Sequence, residues 1–574
     1  MRRFLPFLDW LPKYNKKLFR KDLAAGMTVG IILIPQGMAY AMIAGLPPVY
    51  GLYAALFPVI IYAFLGTSRQ IAVGPVAMDS LLVAAGLGTL VITGLENYIL
   101  MALFLSFMVG AFQFFMGIFR MGFLVNFMSR PVISGFTSAA AVIIIFSQLK
   151  HLLGTNIENS NKFHELVINA LHHIKETNFY DFAIGIVGIL VIISFKNWFK
   201  RFPAILLVVV LSTLVVYFFN LESYGVHVVG EVPAGLPSFN WHKFSFKNFK
   251  DIWPIALTLA FVGYLEAISI GRAFEDKNKV ETISPNQELV ALGLSNMIGS
   301  FFQAYPVTSS FSRSAINYEA GAKTTVASMV SVVMVVLTLL FLTPLFYNLP
   351  KAALASIIMV SVFGLIDLSY PKSLWNQRKD EFAVLMITFL FTLSMGIVEG
   401  IMLGVLMSLL VMVYRTSKPH FAILGNIKGS DYYKNIYRFG DEVEVRPDLL
   451  IVRFDSQLYF GNSSYFKSQL FRYIEAKGPG LKAVILNAEA INYIDSTASS
   501  MLIKVIEEIH QRNIQFYIAG AIGPTRDIIF ESGIVNCLDK KYLFVKIKEA
   551  VAHYEDPDKI PVLREKIAHQ NLSN

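Results

Sequence analysis

The chain has 574 residues, of which 55% are hydrophobic and only 16% charged, with a mean hydropathy of +0.55. A soluble globular protein of this size has no use for such an apolar excess, so the composition points to a polytopic membrane protein. The formal net charge of +9 is no argument for a nucleic-acid partner, and the single Cys537 excludes both an intrachain disulfide and a cysteine-held metal cluster.

Residues 1–21 carry Arg2, Arg3, Lys13, Lys16, Lys17, Arg20 and Lys21 against one acid, Asp9. That excess predicts a cytoplasmic N-terminus, and the apolar stretch behind it is too long for the core of a cleavable signal. No Asp, Glu, Lys or Arg occurs from Leu23 to Ser68, from Thr324 to Pro350, or from Phe382 to Val398. With about 20 apolar residues per spanning helix, the pattern predicts about fourteen membrane segments. In the first half they fall near 23–45, 50–66, 75–91, 97–118, 131–150, 180–196 and 203–219. In the second half they fall near 252–271, 286–302, 307–318, 323–345, 352–368, 381–397 and 399–416. An even number returns the C-terminus to the cytoplasm. The expected organisation is a cytoplasmic segment (1–21), a transmembrane transport domain (22–419), a polar linker (420–446), a small α/β domain (447–555) and a tail (556–574). Strands are expected at Leu449–Phe454, Ala483–Leu486 and Ile514–Ala519, and helices at Ser496–His510 and Lys541–Ala552.

Two segments read as copies of one device: Gly74-Pro75-Val76-Ala77-Met78-Asp79-Ser80, and Tyr305-Pro306-Val307-Thr308-Ser309-Ser310-Phe311-Ser312-Arg313-Ser314. Each sets a proline and small residues at the start of a short apolar stretch. Paired broken helices in the two halves of a transporter mark its substrate site. A helix that begins at mid-membrane offers unpaired N–H groups and a positive dipole end, to which anions bind. An arginine deep in an apolar region is expensive and usually faces a partner or a wet cavity, so Arg313 among serines indicates an anion carrier. Gln36 and, one turn on, Tyr40 lie in the first span; the Gln36 amide either donates to an oxyanion or joins two helices. Glu266 reads as a proton relay or as a structural partner of Arg272 or Arg313. Asp79 reads as a cap or structural partner. In the α/β domain, Asp495-Ser496-Thr497-Ala498 opens a helix, with a capping role more natural than a phosphoacceptor. There is no Walker A, HExxH or paired-Cys motif, so neither an ATP-driven pump, a cofactor nor an enzyme is expected.

The runs Ile34-Pro35-Gln36-Gly37-Met38-Ala39-Tyr40-Ala41 and Pro47-Pro48-Val49-Tyr50-Gly51-Leu52-Tyr53 resemble the sulfate permease family of anion transporters. So do Asn286-Gln287-Glu288-Leu289, Gly299-Ser300-Phe301-Phe302 and the stretch from Tyr305 to Asn317, while the C-terminal segment resembles a STAS domain. The resemblance implies a seven-plus-seven inverted repeat with core and gate parts, a homodimer, and an anion held between the third and tenth spans. It carries the site onto Gln36, Tyr40, Val76, Ala77, Ser310, Ser312 and Arg313. In proton-coupled members a glutamate stands in the eighth span, where this chain has Glu266; animal exchangers commonly lack it. The phosphorylated hydroxyl of STAS relatives falls on Thr497, although Ala498 replaces their usual glycine. The expected function is therefore secondary anion transport in the inner or plasma membrane, proton-coupled sulfate uptake foremost. Bicarbonate, chloride or dicarboxylate transport or exchange, including sodium-coupled forms, is the alternative. A nucleobase carrier is more distant, since an uncharged base needs no cation, and a membrane-tethered signalling platform read through the STAS domain stands outside transport. A cytoplasmic protein would be the partner of the STAS domain, and membrane lipid surrounds the spans.

Overall fold

The computed structural model describes residues 5–90, 92–123, 129–155, 160, 162–198, 204–241, 246–278, 283–538 and 542–558. It falls into two units, Met1–Ser408 and Leu409–Asn574. Arg2 and Arg3, and positions 559–574 of the expected tail, lie outside the described residues.

A helical segment stands at each of the fourteen expected places. Spans 1 to 7 are Lys16–Ile43, the pair Val49–Tyr53 and Phe57–Leu65, Ala77–Gly88, Leu95–Ile118, Arg130–Ser147, Phe179–Trp198 and Ala204–Phe219. Spans 8 to 14 are Phe246–Asn278, Pro285–Phe301, Phe311–Glu319, Val326–Leu337, Lys351–Phe363, Lys379–Met395 and Ile397–Ser417. Among the described residues, six helices are long and apolar enough to cross a bilayer unaided. Span 11 is one of the six, continuing through a π-helical turn at Thr338–Leu342; others are shorter, as where span 2 is broken between Tyr53 and Phe57. Irregular backbone survives at membrane depth only where protein or a polar cavity covers it.

The packing repeats when each span is exchanged for its counterpart seven places on. Span 4 packs on span 9 and span 11 on span 2; span 11 on span 1 and span 4 on span 8; span 13 on span 5 and span 6 on span 12; span 10 on span 1 and span 3 on span 8. Strand β1 (Ala72–Gly74) pairs antiparallel with β2 (Thr308–Ser310), Ala72 opposite Ser310 and Gly74 opposite Thr308. An antiparallel pair is two-fold symmetric about its middle, here Val73 and Ser309, so the ladder has the symmetry expected of an inverted repeat. Small residues allow close contact of the backbones. A Cβ on Gly110 would lie 2.5 Å from Met297 N, and one on Gly293 the same distance from Phe114 N.

The second unit carries a seven-stranded sheet. Strand β3 (Phe421–Ile427) pairs antiparallel with β4 (Tyr433–Asn435), β5 (Val443–Glu444) and β6 (Leu449–Phe454). Beyond β6 the order runs in parallel through β7 (Ala483–Asn487), β8 (Gln515–Ala519) and β9 (Leu543–Phe544). Leu450, Val452 and Phe454 face one apolar core and Leu449 and Ile451 the other. A sheet covered on both faces needs such a continuous apolar run. The expectation of a linker over 420–446 is corrected here. That stretch supplies three strands, because Ala422 and Leu424 add to the second core alongside Leu449 and Ile451. The expected helix from Lys541 begins instead at Ile547; Lys541 is outside the described residues. Helix Ser496–Gln511 buries Ala498, Leu502, Val505, Ile506 and Ile509, an apolar stripe at helical spacing. Its cap is Asp495, which accepts from Ala498 N at 2.8 Å. Just before β6, Arg446 clasps Asp448 through Nε at 3.1 Å and Nη2 at 2.8 Å, which holds that carboxyl well below the usual range.

Candidate anion site between two half-helices

Pro75 and Pro306 lack the N–H that would continue a helix, and each precedes a helix start set inside the bundle. The first half-helix, span 3, has Val76 at its N-cap in an extended conformation, without a side-chain cap. The second, span 10, starts at Ser310, whose hydroxyl accepts from Arg313 N at 3.4 Å. The strands ahead of both helices form the β1–β2 ladder, so the two starts are tied together through backbone pairing.

Side chains from the neighbouring spans fix this break. Asn296 of span 9 takes both sides of one peptide residue: Val307 N donates to Asn296 Oδ1 at 2.8 Å, and Asn296 Nδ2 donates to the Val307 carbonyl at 3.0 Å. Gln113 of span 4 accepts from Asn296 Nδ2 at 3.1 Å and donates to the Ala260 carbonyl at 3.2 Å. Thr308 donates to the Gly263 carbonyl at 2.7 Å, Ala72 N donates to Ser314 Oγ at 2.9 Å, and the Tyr305 and Ser80 hydroxyls are 3.0 Å apart. Every one of these bonds is buried, where an unmade one would be costly.

Arg313 is fully buried, yet its Nε, Nη1 and Nη2 have no hydrogen-bond partner among the described residues. Its Nη2 is 3.4 Å from where a Cβ on Gly74 would stand, so the guanidinium lies over the end of β1. The titratable groups whose charges act on it are the phenols of Tyr40 and Tyr305. A buried guanidinium without an acceptor is far too costly to be a packing element. Its donors suit an oxyanion, with which Arg forms a planar fork.

The other expected residues fall in several places. Gln36 donates to Ser361 Oγ at 3.5 Å, and its Oε1 is buried without a partner. Tyr40, one turn on, is buried and engages the same Ser361 of span 12. Ser310 and Ser312 have hydroxyls 3.4 Å apart, Ser310 buried and Ser312 exposed. Val76 is half-buried and Ala77 buried. Glu266 is half-buried, and its Oε2 has no partner; it forms no ion pair with Arg272 or Arg313 among the described residues. Thr497 is exposed in the first turn of its helix, in the other unit. Sequence reading missed Asn296, Gln113 and Ser361. Each is a polar side chain within a largely apolar stretch of helix, and that was the available signal.

The sulfate permease family profile matches residues 19–388. The chain belongs to the sulfate permease family. A second match, to the STAS domain, covers residues 442–551 of the permease. The permease is 38% identical over 567 residues to the chloroplastic sulfate transporter 4.1 of Arabidopsis thaliana, covering 95% of this chain and 82% of that one. It is 32% identical to the high affinity sulfate transporter 2 of Stylosanthes hamata, covering 96% and 87%. Among solved structures, the murine Solute Carrier 26 family member A9 anion transporter in its inward-facing state superposes on the permease with a TM-score of 0.89. Identity is 27%, over 96% of this chain and 94% of that one. The transmembrane domain of a cyanobacterium bicarbonate transporter shares the fold with a TM-score of 0.59, at 20% identity over 69% and 98%. The permease is thus a multi-pass membrane protein.

Proposed function

We propose that the permease is a secondary active anion transporter that imports sulfate together with protons, across an inner or plasma membrane with both termini in the cytoplasm. One observation carries the reading: the buried guanidinium of Arg313, whose donors have no acceptor among the described residues, at the start of a half-helix. The sulfate transporters among its relatives support the choice of anion. The anion would sit between the half-helices of spans 3 and 10, met by Arg313, Ser310, Ser312 and the backbone at Val76 and Ala77, with Gln36 and Tyr40 closing the side toward span 1. Two positive helix ends and one guanidinium suit a dianion better than an uncharged base. Glu266 would take the coupling proton. The membrane domain would work as a homodimer, and the STAS domain, joined by the last span, would regulate through a cytoplasmic protein partner, with Thr497 as the candidate phosphoacceptor. Uptake of radiolabelled sulfate into proteoliposomes under an imposed pH gradient tests this. Uptake stimulated by external acid, and not displaced by equal bicarbonate, chloride or fumarate, is the expected result. Preferential displacement by one of these would reassign the substrate. Stimulation by sodium in place of acid would reassign the coupling ion.

A further inference from the structure

Asp79 is not accounted for by the anion site. It is the third residue of the first half-helix, it is only 2% exposed, and its Oδ1 is buried without a hydrogen-bond partner. The sequence suggested a cap or a structural partner, but no group among the described residues donates to that oxygen. Its other oxygen lies against span 8: Asp79 Oδ2 is 3.5 Å from where a Cβ on Gly263 would stand. That is ordinary contact distance, so the carboxyl packs against span 8 at Gly263. Glu266 follows Gly263 by three residues, which puts it on the same face of that helix, and its Oε2 is likewise buried without a partner. Asp79 is the charged group whose field reaches Glu266. Titratable or charged groups on the elements around the pair include Arg313 on span 10, Tyr305 ahead of β2, Tyr40 on span 1, and Tyr264 and Arg272 on span 8. Tyr305 is engaged by Ser80, and Tyr264 donates to the Gly122 carbonyl at 2.9 Å. Arg272 is exposed, and Arg313 has no acceptor.

We infer that Asp79 and Glu266 form one carboxyl-pair site that holds a single proton, and that Asp79 links this proton to the anion. The inference rests on the proton-coupled reading above and adds the second carboxyl to it. Two like charges in a water-poor place cannot both be ionised cheaply, so the pair retains one proton. The location of Asp79 gives the proton its effect. An ionised carboxylate in the first turn of a helix neutralises the positive end, and that end is where the anion binds. A proton on the pair restores the positive potential, and by reciprocity a bound anion retains the proton.

The test is sulfate binding to the purified full-length protein as a function of pH, with Asp79→Asn beside wild type, and the infrared carbonyl band of protonated carboxyls followed on the same samples. Wild-type affinity should rise as the solution is acidified, in step with the band. Asp79→Asn removes the neighbouring charge, so the remaining carboxyl should protonate only in more acid solution. Its band should then move by about one pH unit, a tenfold change in proton concentration, and its affinity at neutral pH should exceed that of wild type. Glu266→Asp keeps a carboxyl on span 8 and should keep the band. An Asp79→Asn band with the wild-type midpoint, or a wild-type protein without any such band from acid to neutral pH, overturns the pair. If uptake ignores the pH gradient while the band depends on Asp79 as described, the pair stands and the coupling reading alone falls.

Discussion

At the scale of single residues, the permease concentrates its cost in a few polar groups within an apolar bundle. Arg313 is fully buried with three unpartnered nitrogens, and Asp22 shows the opposite, satisfied case. It is fully buried but accepts from Lys323 N at 2.7 Å and from Thr324 N at 3.1 Å, and so fastens the start of span 11 to span 1. Glu288 is satisfied in the same way, with Tyr62 donating to Oε2 at 2.8 Å and Thr67 N to Oε1 at 2.7 Å. The contrast sets satisfied structural carboxylates apart from Arg313, the proposed anion ligand. Arg313→Ala should therefore leave insertion and dimerisation unchanged and weaken sulfate binding. Loss of a charge-assisted hydrogen bond costs about 1.5–3 kcal/mol, which is roughly a ten- to hundredfold loss of affinity. Arg313→Lys, which keeps the charge but not the fork, should fall between the two. Equilibrium binding of labelled sulfate to the detergent-solubilised protein measures both, and an unchanged affinity in Arg313→Ala would move the site elsewhere.

At the scale of elements, both half-helices were legible in the sequence, because proline followed by small residues at the head of a short apolar stretch is a local signal. The ladder between them was not. Three residues per strand give no periodicity to read, and pairing Ala72 with Ser310 is a contact that no local pattern predicts. The clamp was hidden for a related reason. Asn296 is one polar residue among several in its span, and only the fold shows that it satisfies Val307 on both sides. Asn296→Leu would leave a buried N–H and a buried C=O without partners, at about 1–3 kcal/mol each. Its melting temperature in detergent should fall, and sulfate affinity should fall with it, because the start of span 10 loses its support. A melting temperature equal to that of wild type would show that the break holds without the clamp. The reading of 420–446 as a linker failed on the same ground: the polar stretch after Ile427 concealed an apolar strand whose partner, β6, comes later in the chain.

At the scale of the whole molecule, the correction at β3 decides where the tail can be removed. Truncation after Arg446 would leave β3 and its apolar side chains without β6, an edge prone to aggregate. Truncation after Ser417 removes the complete sheet and should leave a protein that inserts and binds sulfate with wild-type affinity, as Thr497→Ala in the full chain should too. A large loss in either would put the tail in the permeation path. Direction of transport is the remaining whole-molecule question, and membrane potential sets its terms. Bringing a dianion inward against about 100 mV, negative inside, costs roughly 4.6 kcal/mol, at about 2.3 per charge. Binding at Arg313 cannot supply this, since affinity equal on both sides drives no net flow. A co-transported proton would offset one charge and add its own gradient, and Glu266 on span 8 is the carboxyl proposed to carry it. Glu266→Gln should therefore lose acid-stimulated net uptake in proteoliposomes, while sulfate-for-sulfate exchange, which moves no net charge, continues. Wild-type pH dependence of net uptake in Glu266→Gln would show that the proton crosses by another route.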